Sequence, residues 1–321
     1  MRIVVYGLGA VGGTVAAGLA RAGVPVTGIA RGAQLAALQS GPLLLESPAE
    51  RIEARIPCVA DPRELELGAD DIILLAVKTQ DSGAALERLA LAGLGGQPVY
   101  CTQNSLANEP LAARYFPNIH GVNVMMPCAM VAPGHVRTFV EPRFGMFDIG
   151  CWPGGSDADD ARLAEALEAG NVACSPSEDV MTWKRGKLLL NLSNVIDAAV
   201  GPDAQDGAIR KAAREEAETV YRALGLSWRT IDEDDPRREQ IRRGTIAGAP
   251  RAGTSTTQSL ARGAAQLETA FLNGEIAMLA RQGGLEAPVN AALSRLGARL
   301  AGNKAAPGAM TVGELEDWIR S

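Results

Sequence analysis

Short runs of consecutive apolar residues alternate with stretches of helical spacing throughout the first third of the chain. Residues 2–6 (Arg-Ile-Val-Val-Tyr) form a β-branched run that stops at Gly7, and residues 11–22 set small and apolar side chains at the spacing of a helix that Gly23 ends. The same reading predicts strands over 25–30, 71–77 and 98–102, separated by helices around 31–39, 81–92 and 106–115. The run at 71–77 is apolar almost throughout, as expected of a parallel strand covered on both faces. Regular strand–helix–strand alternation predicts an α/β fold with a parallel sheet and right-handed crossovers.

From about residue 119 the pattern changes to strand-like pieces at 119–126, 135–140 and 144–149, joined by Pro133-Gly134 and Pro142, which are expected to finish the sheet. A helix at 157–168 and a short strand near 171–174 follow. From Ser177 onward the periodicity is helical, with segments at 178–199, 207–224, 259–282 and 287–301. A chain of 321 residues is long enough for about two domains. The change of texture places their boundary near 176, giving a sheet domain over 1–176 and a helical domain over 177–321. The acidic run Asp232–Asp235 lacks the glycine and spacing of a calcium loop and reads as a solvated helix start. No metal site is expected.

Composition narrows the function classes. A net charge of −6 without a local basic patch argues against nucleic acid or an anionic membrane as partner. Five cysteines without a C-x-x-C pair read as reduced thiols, and the chain shows neither the order of a secretory signal nor an apolar stretch of spanning length. A cytoplasmic protein is expected. Apolar helical faces in the second domain leave a homodimer open.

The glycines, 36 in all, have a telling location. Gly7-Leu8-Gly9-Ala10-Val11-Gly12 matches G-x-G-x-x-G between a strand and a helix, the context in which that pattern cradles a dinucleotide. Gly7 allows the tight turn, Gly9 lets a pyrophosphate approach the backbone, and Gly12 lets the helix pack closely on the strand. An acidic residue normally follows about 20 residues on to bind the ribose 2′-hydroxyl of NAD. This chain has no carboxylate before Glu46, and Arg31 stands at that place, where a guanidinium suits a 2′-phosphate. The expected cofactor is NADPH.

Further motifs follow in order: Val77-Lys78-Thr79-Gln80, Gln103-Asn104-Ser105, Ala132-Pro133-Gly134-His135-Val136, the run Trp183-Lys184-Arg185-Gly186-Lys187-Leu188-Leu189-Leu190-Asn191, and Glu268 followed by Asn273-Gly274. Together with the glycine loop and Arg31, this series resembles the ketopantoate reductase (2-dehydropantoate 2-reductase) family. The resemblance implies a Rossmann-type, doubly wound N-terminal domain and an all-helical C-terminal domain like that of 6-phosphogluconate dehydrogenase. It also implies an active site in the cleft between them, where NADPH reduces 2-dehydropantoate to pantoate in pantothenate biosynthesis.

Reduction of a 2-keto acid needs a hydride donor, a proton donor for the developing alkoxide, and groups that hold the carboxylate. His120 and His135 fall in strand or turn context and read as structural, which leaves lysine as the acid. Lys187, Asn191 and either Asn194 or Val195 share one face of the expected helix 178–199, together with Lys184. By the resemblance Lys187 is the general acid, with Lys184 one turn away as the alternative. Glu268 matches the family carboxylate that orients the lysine or a substrate hydroxyl. Asn191, Asn194 and either Ser255 or Thr256 match groups that bind substrate. Asn104 matches a residue near the nicotinamide ribose and substrate, and Lys78 one near the cofactor ribose or substrate. Ser105 stands where the family usually has glycine, and Val195 where it usually has the second amide. These departures leave the keto acid itself open. A reductase of another 2-keto acid or of an imine is the nearest alternative. A non-catalytic NADP(H)-binding regulator is a more distant one, and it leaves Lys187, Asn191 and Glu268 without a purpose.

Overall fold

The computed structural model describes residues 1–231, 235–249 and 253–321. Its centre is an eight-stranded sheet in the order Val172–Pro176, Gly145–Cys151, Ile119–Met125, Val99–Cys101, Asp71–Leu75, Arg2–Tyr6, Val26–Ile29, Cys58–Val59. All neighbours pair in parallel except Gly145–Cys151, which runs antiparallel to Ile119–Met125. From Arg2–Tyr6 the chain first builds outward through Val26–Ile29 to Cys58–Val59 and then reverses to Asp71–Leu75 on the other side. In doubly wound sheets that reversal opens a ligand crevice at the carboxyl ends of the strands.

The strand Arg2–Tyr6 shows why the sheet is covered on both faces. Ile3 and Val5 join one apolar cluster with Val15 and Leu19 of the helix Ala10–Arg21, while Val4 and Tyr6 join another with Leu86 and Leu89 of the helix Ser82–Leu91. Alternate side chains of a strand point to opposite faces, so a run apolar at every position must be sandwiched. Each such side chain contributes about 1.5–3 kcal/mol when fully buried. Helix Ala10–Arg21 also packs tightly at Gly18, where a methyl group would lie 2.1 Å from the Gly170 carbonyl oxygen.

Two of the three strand-like pieces after residue 119 join the main sheet, whereas His135–Thr138 does not. It pairs with Leu43–Glu46 and Cys128–Ala132 in a separate sheet of four strands, whose outer member is Arg51–Ala54. The strands at 43–46, 51–54 and 58–59 were not legible as strands. They are only two to four residues long, too short to establish a period of two.

The chain divides into two units, one of residues 1–103, 108–183 and 231–250 and the other of 104–107, 184–230 and 251–321. A single boundary near 176 therefore does not describe the fold. Residues 231–250 return to the first unit, where Ile241–Arg243 pairs antiparallel with Val140–Pro142. Of the acidic run, residues 232–234 lie outside the described residues, while the Asp235 carboxylate accepts from the Arg237 amide at 2.9 Å and caps the short 3-10 helix Pro236–Gln240.

The second unit is helical in its described residues, but two of the expected long helices are broken. The segment at 178–199 divides into Val180–Asn191 and Asn194–Val200. The Ser193 hydroxyl donates to the Leu190 carbonyl (3.1 Å) and the Asn273 amide to that of Leu192 (3.0 Å), so side chains take carbonyls at the break. The segment at 259–282 divides into Ser255–Ala261, the 3-10 turn Glu268–Phe271 and Asn273–Gln282. Its first break is a Schellman motif. Gly263 takes a φ of 69°, its amide donates to the Leu260 carbonyl, and the Ala264 amide donates to that of Ser259. The last helix, Val312–Arg320, was not expected, although its Thr311/Glu314 capping box was present in the sequence. Among the described residues, no helix is long and apolar enough to cross a membrane.

Candidate active site

The glycine loop lies at the sheet's switch point. The Gly7 amide donates to the Ile29 carbonyl (3.0 Å), and the Ala76 amide to that of Tyr6 (2.8 Å), so the loop is tied to the strands on both sides. Gly7 has a φ of 107°, and a Cβ there would come within 2.8 Å of the Ala76 carbonyl carbon and the Val77 nitrogen. A Cβ on Gly12 would lie 2.1 Å from the Gly7 oxygen. Gly9, by contrast, has nothing within 4 Å of the place a Cβ would take. The helix Ala10–Arg21 begins there without a side-chain cap and without an acidic residue in its first turn. Two glycines are thus required by packing, and the third leaves open space beside helix amides that lack intrahelical partners. That geometry and polarity fit the pyrophosphate of a dinucleotide. Leu8 is buried beneath the loop, while Ala10 and Val11 are half-buried.

Gln34 was missed in the sequence. Its side-chain amide donates to the Leu8 carbonyl at 2.6 Å, and its carbonyl oxygen accepts from the Gly134 amide at 2.8 Å. This clamp between the glycine loop and a turn 100 residues from Gln34 carries no local signal.

Arg31 follows the strand Val26–Ile29 and stands at the N-cap of helix Gly32–Ser40. Its guanidinium Nη2 lies 3.8 Å from Asp81 Oδ1, with the two side chains 53% and 48% exposed. Lys78, half-buried, follows the strand Asp71–Leu75 in the same unit. The glycine loop, Arg31 and Lys78 therefore share the carboxyl ends of three adjacent parallel strands. Asn104 follows the next parallel strand, Val99–Cys101. Residues 104–107 group with the second unit, where Leu106 packs against the cluster that holds Leu188, Leu189 and Leu192.

In the second unit Lys187 is half-buried on helix Val180–Asn191, one turn before Asn191. Lys184, on the same helix, is buried, with 2% of its surface exposed. The helix ends at Asn191, so the expected continuous face across 194 and 195 does not exist. The chain turns and brings Asn194 back, its amide donating to Asn191 Oδ1 at 3.4 Å, while Val195 enters the apolar core. Of the two positions, Asn194 is therefore the one beside Asn191. Asn191 Nδ2 is buried and has no hydrogen-bond partner among the described residues. The Thr254 hydroxyl donates to the Asn194 carbonyl (3.3 Å) and caps helix Ser255–Ala261, which ties the first turn of that helix to the amide pair. Ser255 there is half-buried and Thr256 is buried. Glu268 is also buried and opens the 3-10 turn before Asn273, whose side chain holds the end of the lysine helix at Leu192.

Both histidines are committed elsewhere. His120 Nδ1 meets Asp160 Oδ1 at 2.9 Å, Nε2 meets Asn118 Oδ1 at 2.9 Å, and the ring stacks on Tyr100 with centroids 4.3 Å apart. Cys151 and Asp157 lie within 4.8 Å of these groups, but Asp157 and Asp160 form the capping box of helix Ala158–Ala169. His135 meets Glu46 at 2.8 Å.

A glycine loop on a doubly wound sheet followed by a helical unit is an architecture found among NAD(P)-dependent oxidoreductases acting on CH–OH groups, and this chain is one of them. Residues 3–154 match the family model described as Ketopantoate reductase PanE/ApbA, and residues 179–300 match that of Ketopantoate reductase PanE/ApbA C terminal. The chain belongs to the ketopantoate reductase family. It is similar to a 2-dehydropantoate 2-reductase of Mesorhizobium japonicum, with 30% identity over 71% of this chain and 78% of the relative. One from Archaeoglobus fulgidus is 26% identical over 92% of this chain and 96% of the relative. Among solved structures, a PanE/ApbA family ketopantoate reductase from Ralstonia eutropha superposes with a TM-score of 0.78 at 28% identity, covering 95% of this chain and 99% of that one.

Proposed function

We propose that this protein reduces 2-dehydropantoate to pantoate with NADPH. The observation that carries the reading is the buried Asn191 Nδ2, an unpartnered donor beside Asn194 and one helical turn from Lys187. An unsatisfied buried donor costs about 1–3 kcal/mol, a cost that a substrate oxygen accepting from it removes. Bound NADPH supplies the hydride for the carbonyl carbon. The Lys187 ammonium hydrogen-bonds the carbonyl oxygen, stabilises negative charge as it develops there, and gives up a proton, so that C=O becomes CH–OH. Asn191, Asn194 and Ser255 or Thr256 hold the carboxylate and hydroxyl of the substrate, and Glu268 orients the lysine or that hydroxyl. Asn104 contacts the nicotinamide ribose and substrate, and Lys78 the cofactor ribose.

On the cofactor side, Gly7, Leu8, Gly9, Ala10, Val11 and Gly12 hold the pyrophosphate and Arg31 the 2′-phosphate. The absence of any carboxylate before Glu46 supports NADPH over NADH. The test follows NADPH absorbance with 2-dehydropantoate and a panel of 2-keto acids, with and without amines. The highest kcat/KM is expected with 2-dehydropantoate and no amine. A higher value for another keto acid, or one dependent on an amine, redirects the substrate, and equal kcat/KM with NADH overturns the cofactor.

A further inference from the structure

The Asp81 carboxylate forms an ion pair with the group assigned to the cofactor's 2′-phosphate. Asp81 is 50 residues from Arg31 in sequence, yet Oδ1 lies 3.8 Å from the Arg31 guanidinium. Both charges are also within electrostatic reach of the Tyr6 hydroxyl, at the end of the strand that leads into the glycine loop. Asp81 directly precedes helix Ser82–Leu91, but its side chain makes no capping hydrogen bond to that helix. Half exposed and unused by its own helix, the carboxylate has Arg31 as its ion-pair partner.

We propose that Asp81 is a specificity-determining residue that opposes Arg31 in the choice between NADPH and NADH. The inference rests on the reading of Arg31 as the 2′-phosphate site. A 2′-phosphate dianion on Arg31 adds like charge beside Asp81, which weakens NADPH. A ribose 2′-hydroxyl brings no charge and offers a donor that a carboxylate accepts, as the acidic residue at the end of the second strand does in NAD-binding folds. The tertiary structure thus supplies, from the loop after Asp71–Leu75, the carboxylate missing after Val26–Ile29.

Direct binding of NADPH and NADH, followed by cofactor fluorescence, tests this on the parent protein, Asp81→Asn and Arg31→Ala. Asp81→Asn is expected to raise the ratio Kd(NADH)/Kd(NADPH) by roughly 3- to 30-fold, the scale of one charge acting on another at a few ångströms near a surface. The gain is expected to shrink in 1 M salt, where the Debye length is about 3 Å. Arg31→Ala is expected to lower the ratio at least tenfold. An unchanged or lowered ratio in Asp81→Asn, with Arg31→Ala behaving as expected, overturns the role of Asp81 and leaves the cofactor reading standing. If Arg31→Ala leaves the ratio unchanged, the 2′-phosphate assignment fails and this inference with it. Asp81→Ser, which removes the charge and keeps a residue suited to a helix start, substitutes if the asparagine variant does not fold.

Discussion

Two lysines three residues apart on one helix differ in surroundings, and that difference bears on which of them is proposed as the proton donor. Lys187 is half-buried and one turn from the amide pair of Asn191 and Asn194, whereas Lys184 is enclosed. A proton donor must reach the substrate oxygen, and the partly open position suits it better. Lys187→Ala is therefore expected to lower kcat by about 10²–10⁴-fold while the circular dichroism spectrum is retained. Unaltered kcat in a folded Lys187→Ala protein, with the loss appearing in Lys184→Met instead, transfers the role to Lys184. The lysines and Asn191 were legible because an apolar helical run interrupted by a lysine and an amide one turn apart is a local pattern. The placing of Asn194 rather than Val195 beside Asn191 was not, since it depends on where the helix stops.

That stop is decided by contacts from other elements. Asn273 is fully buried; its amide nitrogen donates to Leu192 at the break and to Asn290 Oδ1 (3.1 Å). Asn290 in turn donates to the Ala213 carbonyl (2.8 Å) and to Glu216 (2.9 Å), and Glu216 accepts the first amides of helix Pro288–Gly302. Because Asn290 uses its nitrogen in this way, its oxygen faces Asn273 and fixes the orientation of that amide. Asn273→Ala removes two buried hydrogen bonds and is expected to cost about 1–3 kcal/mol in urea unfolding, with a fall in kcat/KM because Asn191 lies beside the released turn. A variant as stable and as active as the parent refutes this account of the break. Local periodicity carries no trace of such a network, so the sequence suggested longer helices than the fold contains. The Schellman stop at Gly263 and the Thr311/Glu314 box did carry sequence signals, which the apolar spacing obscured.

Over the whole molecule, buried charge sets the response to acid and to thiol reagents. The Arg137 hydrogen bond, with His135 beside it, holds Glu46 below its ordinary value despite partial burial. Burial pushes Asp160 up, but the hydrogen bond and charge of His120, the Asp157 amide and the Tyr100 hydroxyl outweigh it and leave the value lowered. A carboxylate with a depressed folded value contributes stability that is complete above its unfolded value, near 4, and is lost as pH falls through the folded one. Urea midpoints are therefore expected to drop between about pH 5 and 3, and Asp160→Asn to flatten that drop. An identical pH profile in the variant contradicts this. Asp148 works in the opposite sense, since burial raises it and its charge opposes folding at neutral pH, although Asn123 and Arg237 offset part of that cost. Burial also pushes the Cys58 thiol up to about 11 and, together with neighbouring Asp157 and Asp160, that of Cys151 up to about 12. The thiolate is the reactive form, so both are expected to alkylate far more slowly with iodoacetamide at pH 7.5 in the native than in the urea-unfolded protein, as mass spectrometry reads it. Equal rates contradict it.

The sequence by itself determined the alternation of strand and helix, the glycine loop, the position of Arg31 and the order of motifs that marks the family. Each depends on residues within one or two turns, or on a run apolar at every position, because the periods of helix and strand are set by near neighbours. Only the tertiary structure brought Gln34 to the glycine loop, grouped Asn104 with the helical unit, returned residues 231–250 to the sheet unit and set Asp81 against Arg31. Those pairings join positions tens of residues apart through the packing of separate elements, and no local period records them.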